Sequence, residues 1–536
     1  MPLNSLSPLL KTMPHENWMI ALTLLVLIST VRYSIPRSVA HVDAVSIVDD
    51  EPFSSQAFFY GNGMSNNYPE STLRYVRVLF DQQANILHAI GWYFKELEDI
   101  ETKKLLHFII EPGKDITVNT ISESGEPLPP LHLLPYGTGD IRVVWNAGTA
   151  SLGSTPGLSN NLYQYIWQQN GSVSFKSLPP FPYIPNLSRI IQDSSGAIHA
   201  LTFYQVPIDE ANSFFMVRHI YENATEWREE NFQLAMVSTA FQSVCYDAVI
   251  TPNRTIVALL HCADLVGGTT WTDYLFYLRI SDGNATAFVQ TPPSEIRIHN
   301  VKLLALPDNS LIAVANINNR LAAGKFDVSG FFLEPIELAG ISQYATEFEC
   351  QLDSYNRTVI AYIAHEESYV EPGTLSILQE SSNNEWHNSV VDSDHLVHSI
   401  WETREGWVDG WRGREGWSSF ALDTSAGPPF LVFASTPTEE ERSALKIEQK
   451  RICSLYLAQD ISSNVFTNLE PKMLDLTLKK KGSFLVMGDW FDFLTFFIIL
   501  CATGSFLKGI SRRRRYMLTS GKSKSLDLPS KESKES

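Results

Sequence analysis

Seven times along this chain a cluster of polar or turn-forming residues gives way to a short apolar, β-prone run. The runs begin at Ile86, Ile141, Ile198, Ile256, Leu311, Val359 and Phe430, at intervals of 55, 57, 58, 55, 48 and 71 residues. The unit around Cys245 and Cys262 shows the pattern most plainly: Thr251-Pro252-Asn253-Arg254 separates one apolar run from Ile256-Val257-Ala258-Leu259-Leu260. Pro and Asn supply turn chemistry between two β-prone segments, which reads as a hairpin. After each hairpin come one or two further apolar runs, such as LYQYIWQ from Leu162, FFMVRHIY from Phe214, DYLFYLRI from Asp273 and the run from Leu375 to Leu378. Four strands per unit at a period near 50 residues predict an all-β chain folded as a β-propeller, with seven blades and six as the alternative count. Ala57-Phe58-Phe59-Tyr60 is expected to be an early strand that completes the last blade and closes the ring, and the last strand of the chain is expected over 452–457.

The ends of the chain differ from this body. Residues 18–31 (WMIALTLLVLISTV) are apolar and uncharged, with Lys11 before them and Arg32 and Arg37 after. Fourteen residues at ~1.5 Å each fall short of a hydrocarbon core of ~30 Å, which suits a signal peptide; Ser38-Val39-Ala40 offers a cleavage site, and an uncleaved signal anchor is the alternative. Residues 484–507 form a second apolar stretch, followed by Lys508 and Arg512-Arg513-Arg514-Arg515. That arginine run marks the cytoplasmic side of a transmembrane helix, and Trp490 suits the opposite interface. The expected organisation is therefore a signal peptide or anchor over 1–40, a propeller ectodomain over 41–458, a stalk over 459–483, a transmembrane helix over 484–507, and a basic, disordered cytoplasmic tail over 508–536. The body then lies outside the cytosol, at the plasma membrane or in the endoplasmic reticulum or another secretory membrane.

Charge and cysteine usage bear on partners and compartment. The net charge is −18, and residues 1–507 alone hold 32 basic against 56 acidic side chains. So acidic a body repels phosphate backbones, which argues against a nucleic-acid partner. Asn170, Asn186, Asn223, Asn253, Asn284 and Asn356 each open an Asn-x-Ser/Thr glycosylation motif, and all six lie between the two apolar stretches. Of five cysteines, Cys501 falls in the second apolar stretch and four lie in the body. Their even number permits two disulfides in an oxidising compartment. Cys245 and Cys262 sit equally far from the turn's midpoint, so they are expected to pair, leaving Cys350 with Cys453.

The long seventh interval contains Trp401, Trp407, Trp411 and Trp417, with Arg404 and Arg414 among glycines and acids. Rings set between glycine, arginine and acid lack the apolar neighbours of core tryptophans. They suit stacking on sugar faces or anchoring at a protein interface. His88, His199, His261 and His365 follow several hairpins, but at different offsets, so no metal site is expected. Neither a nucleophile elbow nor a phosphate-cradling glycine loop occurs, and no cofactor is implied.

Asp193-Ser194-Ser195-Gly196-Ala197-Ile198-His199 resembles the Asp-box turns of sialidase-like propellers, and the wider pattern resembles the blade hairpins of propeller lectins. The segment has one extra residue between Asp193 and Gly196 and lacks the aromatic expected after the glycine. The Arg-Ile-Pro segment that carries a sialidase's catalytic arginine is absent. The resemblance thus implies the fold and no catalytic residue. The expected function is a membrane-anchored, non-catalytic binding platform within a surface protein complex, touching the lipid bilayer and other secreted or surface proteins. The alternative is a glycan-binding lectin or a sialidase-like hydrolase.

Overall fold

The computed structural model describes the strands and turns between His41 and Leu474. It leaves out residues 1–40, 63–72, 147–161, 179–187, 291–297, 327–335, 339–346, 365–371, 398–418, 445–451 and 475–536, together with shorter stretches between strands. Among the described residues there are seven separate antiparallel sheets, each built mainly from consecutive strands. Blade 1 comprises Leu73–Asp81, Ile86–Leu97, Ile100–Ile110 and Thr117–Ser122. Blades 2 to 6 repeat the plan, starting at Leu128, Ser188, Gln242, Ile298 and Phe348. The first strands of successive blades touch one another in a closed cycle, with blade 7 meeting blade 1. This is a seven-bladed β-propeller, as the spacing predicts.

Ring closure follows the sequence expectation. Blade 7 takes Phe420–Asp423, Phe430–Ser435 and Ile452–Asp460 from the end of the body and Phe53–Asn62 from its beginning. The closing strand pairs antiparallel with Ile452–Asp460, from Phe53 opposite Asp460 to Asn62 opposite Ile452. Phe58 and Phe59 are fully buried and meet Phe108 of blade 1 edge-on, with ring centroids 5.4 and 5.0 Å apart. A Cβ on Gly61 would lie 2.7 Å from the Tyr93 ring, so the closing strand needs glycine where it crosses blade 1. The segment ahead of the closing strand also adds strands: His41–Val42 runs parallel to the last strand of blade 5, and Val45–Ile47 parallel to that of blade 6.

The end of the body differs from the expectation. A stalk is expected over 459–483, but Phe466 is fully buried in the core between blades 7 and 1, and Lys472–Leu474 pairs parallel with the closing strand. The compact unit therefore runs to Leu474. Among the described residues no helix is long and apolar enough to cross a membrane, and both apolar stretches read as membrane segments lie outside those residues.

The hairpin turns explain the repeat. Gly196, Arg254, Asn309, Asn356 and Gly427 each donate their amide to the carbonyl three residues before, and these five and Asn85, four residues after Asp81, all have positive φ. Asn and Gly tolerate that conformation, which bends one strand into the next with the strands' own twist. Asp193 Oδ1 accepts bonds from the Ser195 and Ala197 amides at 2.8 and 2.9 Å, and Asp353 Oδ1 does the same for Tyr355 and Arg357 at 2.8 and 2.9 Å. The Asp-box likeness is therefore physical: a carboxylate holds the turn.

Neither expected disulfide forms; Cys262, Cys350 and Cys453 are buried thiols. From Ile250 opposite Ile256 to Cys245 opposite His261 the register is centred on Asn253, half a residue from the midpoint between the two cysteines, and beyond a slip between Ser243 and Cys245 the partner of Cys262 is Ser243. A one-residue offset in register removes the directly facing geometry that a cystine needs. Cys350 packs in the core between blades 5 and 6, while Cys453 lies in the core between blades 7 and 1 with its Sγ 3.5 Å from the Gly61 carbonyl.

Candidate functional site

Because blades 1 to 6 each run first to fourth strand in sequence, their first and third turns open on one face of the ring, called here the turn face, and blade 7 keeps the same alternation with the closing strand as its fourth. The second turns and the connections between blades open on the other, the connection face. Contacts around the ring agree: the Asn253 amide donates to Asn309 Oδ1 at 2.9 Å between the first turns of blades 4 and 5, and Gln169 N donates to Asp140 Oδ1 at 3.0 Å between the third and first turns of blade 2.

Trp401, Arg404, Trp407, Trp411, Arg414 and Trp417 lie outside the described residues. The places where the chain leaves and re-enters are described, and both are on the connection face. Upstream, blade 6 ends with Trp386–Val397, in which Val397 is fully buried and the Leu396 carbonyl accepts from Ser435 Oγ at 2.6 Å. Downstream, Ser419 gives its amide and hydroxyl to one oxygen of the buried Glu347 at 2.7 and 3.1 Å. The chain is thus fastened on both sides of the 21 residues 398–418, which lie outside the described residues.

The upstream point carries a dense cluster of ionisable groups. His395 lies between two carboxylates, Nδ1 at 2.9 Å from Asp392 Oδ2 and Nε2 at 3.1 Å from Glu441 Oε2. Glu441 also accepts from Tyr456 OH at 2.8 Å and from the Thr438 amide at 2.9 Å, while Thr438 Oγ1 accepts from the Glu441 amide at 3.2 Å. Thr438 and Glu441 form a capping box that starts the helix Glu439–Ala444. Of the three consecutive glutamates 439–441, Glu441 is thus bound to blade 6. Burial alone would lower the His395 pKa, but the bonds to Asp392 and Glu441 and their charges outweigh it and raise it to about 9. Its stabilising share is therefore complete below about 6.5, the unfolded value, and is lost as pH rises through about 9. We expect replacement of His395 by Gln to cost about 3 kcal/mol more at pH 6 than at pH 10. Urea unfolding of both proteins across that range measures it, and a cost independent of pH would contradict the assignment.

Two other histidines singled out in the sequence have partners that spacing did not show. His88 Nδ1 is 3.0 Å from His107 Nε2, and His107 Nδ1 is 3.3 Å from Tyr165 OH of blade 2. In blade 3, His199 Nδ1 is 3.0 Å from His219 Nε2, whose ring continues to Glu230 at 3.2 Å. Burial pushes His88 down to about 4 and, with the neighbouring His199, His219 down to about 3. Held neutral and stacked, these rings tie strands together. His261 is buried in blade 4, and His365 lies outside the described residues. Among the described residues no group of His, Cys, Asp or Glu is arranged to hold a metal ion.

The inner strands carry a further feature that the sequence reading missed. Arg189, Asp247, Lys302 and Glu349, in blades 3, 4, 5 and 6, each stand four residues before the anchoring residue of their hairpin turn, Asp193, Thr251, Leu306 and Asp353. Charge alternates around the ring. Arg189 is 3.7 Å from Asp247, and Lys302 3.3 Å from Glu349, to which Arg77 of blade 1 also reaches at 3.4 Å. Burial alone would lower the Lys302 pKa, but Glu349 and Asp247 raise it, so the cation is held by its neighbours. The alternation matches charge to countercharge between blades and positions the inner strands.

No family model matches the chain, and no curated protein matches it. Several solved structures are similar in fold. An α-L-arabinanase of Penicillium chrysogenum complexed with arabinobiose is 12% identical with a TM-score of 0.36, covering 63% of this chain and 98% of its own. An ulvan lyase bound to a GlcA(1-4)Rha3S unit is 10% identical with a TM-score of 0.39, covering 72% and 94%. A protein of unknown function from Dyadobacter fermentans is 14% identical with a TM-score of 0.36, covering 58% and 95%. At these values the likenesses carry no argument about activity, and the architecture rests on this chain's own strand order.

Proposed function

We propose that this propeller is a non-catalytic binding platform, anchored in a membrane with its body at the cell exterior or in a secretory lumen, and a component of a protein complex there. The carrying observation is the pair of fastened points at Val397 and Ser419, which hold the ends of the tryptophan-rich excursion on one face of a closed ring. A rigid ring that presents a long connection suits partner recognition, because the scaffold bears the ordering cost and leaves the connection's side chains for contact. The segment's composition supports the same reading: Trp and Arg are the residue types that most often anchor interfaces.

Replacing Trp407, Trp411 or Trp417 by alanine is expected to cost about 2 kcal/mol or more of binding at whichever ring is an anchor, while folding stability stays within about 0.5 kcal/mol. Thermal melts of the single variants, compared with affinity capture of partners by the wild-type and variant proteins, measure both. A loss of about 3 to 5 kcal/mol in folding for all three would mean that the rings are buried, and would end the recognition reading.

The second reading, glycan binding, is favoured by the glycine-flanked rings and by the carboxylate-held turns of sialidase type. A glycan array probed with the body separates the two: retention of a sugar class that disappears in the same tryptophan variants supports the second reading over the first.

A further inference from the structure

The glycosylation motifs are distributed by face. Asn253 and Asn356 lie in the first turns of blades 4 and 6, and Asn170 in the third turn of blade 2. Asn223 ends the third strand of blade 3, and Asn284 begins the fourth strand of blade 4, so both adjoin third turns. All five are exposed, and all five are on the turn face; Asn186 lies outside the described residues. On the connection face none of the described residues opens such a motif, although exposed polar turns such as the one holding Asp209 and Glu210 are present there. We propose that the turn face is a glycosylated face, carrying N-linked oligosaccharides on Asn170, Asn223, Asn253, Asn284 and Asn356, and that the connection face is left bare for macromolecular contact. The inference rests on the lumenal or exterior placement of the body proposed above.

The local chemistry accommodates the modification. At each site Nδ2 bonds to the anomeric carbon of a lipid-diphosphate-linked oligosaccharide, the lipid diphosphate departs, and Nδ2 gives up one proton. The turns use the other side-chain atom. Asn170 Oδ1 accepts from the Ser172 amide at 2.8 Å, and Asn253 Oδ1 from the Thr255 amide at 3.3 Å. Both bonds survive when Nδ2 is substituted. Exposed asparagines around one rim place bulky, hydrated chains over the first and third turns, which closes that side to a docking protein. The opposite side holds the roots of the 398–418 excursion and the helix Glu439–Ala444, and the chain reaches Leu474 heading towards it, because Lys472–Leu474 runs parallel to the closing strand.

The test expresses the full chain in cells with a secretory pathway and maps N-glycosidase-released sites by mass spectrometry in isotopically labelled water. A second protein carries Asp209→Asn with Ala211→Thr, which creates a motif on the connection face. The Asp209 carboxylate already accepts from the Ala211 and Asn212 amides through Oδ1, a role that Asn retains. The expected result is label at all five turn-face asparagines in both proteins. Label at the new site 209 with fewer than four of the five native sites occupied overturns the inference and leaves the lumenal placement standing. No label at any site, with the body digested by protease outside sealed microsomes, overturns both.

Discussion

Deleting Phe53–Asn62 is expected to abolish cooperative unfolding of the whole propeller, although the deletion removes only ten residues from one end of the body. The closing strand supplies the fourth strand of blade 7, and through Phe58 and Phe59 it supplies part of the core shared with blade 1. Without it Ile452–Asp460 becomes an edge in which the first eight residues are apolar or otherwise buried in the intact protein. An apolar, unpaired edge recruits other chains, so aggregation should accompany the loss. A milder version isolates the packing: Phe59→Ala should cost about 3 to 5 kcal/mol, since it removes a fully buried ring from a close-packed cluster. Calorimetry of the deletion and denaturant melts of the point variant read both effects. A sharp, monomeric transition in the deletion protein would show that the ring does not depend on this closure.

The second large effect is loss of stability in mild acid. In the native protein burial holds His88 neutral down to about 4 and His219 down to about 3, and it keeps the fully buried His107 well below the usual histidine value. In the unfolded chain the same side chains take up protons near pH 6.5. Between about 6.5 and 4 the unfolded state therefore binds more protons, and stability falls as pH falls. A depression from 6.5 to about 4 corresponds to about 3 kcal/mol at His88 alone, and His107 and His219 act in the same direction. His395 has the opposite sign and loses its share only towards alkaline pH. The urea midpoint should thus drop steeply from pH 6.5 to 4. A double variant, His88→Gln with His107→Gln, should begin less stable and show a shallower acid slope. An unchanged slope in that variant would remove this pair from the account.

Much of the architecture was legible because it rests on local chemistry. Polar turns with Asn or Gly at the left-handed position recur at Asn85, Gly196, Asn309 and Asn356, one to three residues before the apolar runs that begin at Ile86, Ile198, Leu311 and Val359. The aromatic run at Ala57–Tyr60 fell ahead of the first complete unit, which marked it as a strand in need of a partner elsewhere. The candidate site was legible only in part. Composition drew attention to the tryptophans of the seventh interval, but nothing in the sequence showed that Ser419 would be held by Glu347, or Leu396 by Ser435, from elements 72 and 39 residues away.

What the sequence by itself determined is the repeating unit and the position of its hairpins, since each depends on residues close together in the chain, together with an early strand left over to close the ring. The tertiary structure decided everything that depends on register and on neighbouring blades. A turn centred on Asn253, half a residue from the midpoint of the two cysteines, set Cys245 opposite His261 and removed the facing pair that had suggested a disulfide. His88 and His107 became partners because strand pairing sets them diagonally on one face, opposite Ile109 and Ile90 respectively. The alternation of Arg189, Asp247, Lys302 and Glu349 exists only around the ring, because residues more than 40 apart in sequence become neighbours when the inner strands close on themselves. Turn chemistry acts over a few residues and is written in their order; side-chain pairing between strands depends on which face each residue takes, and a one-residue shift in register reverses that.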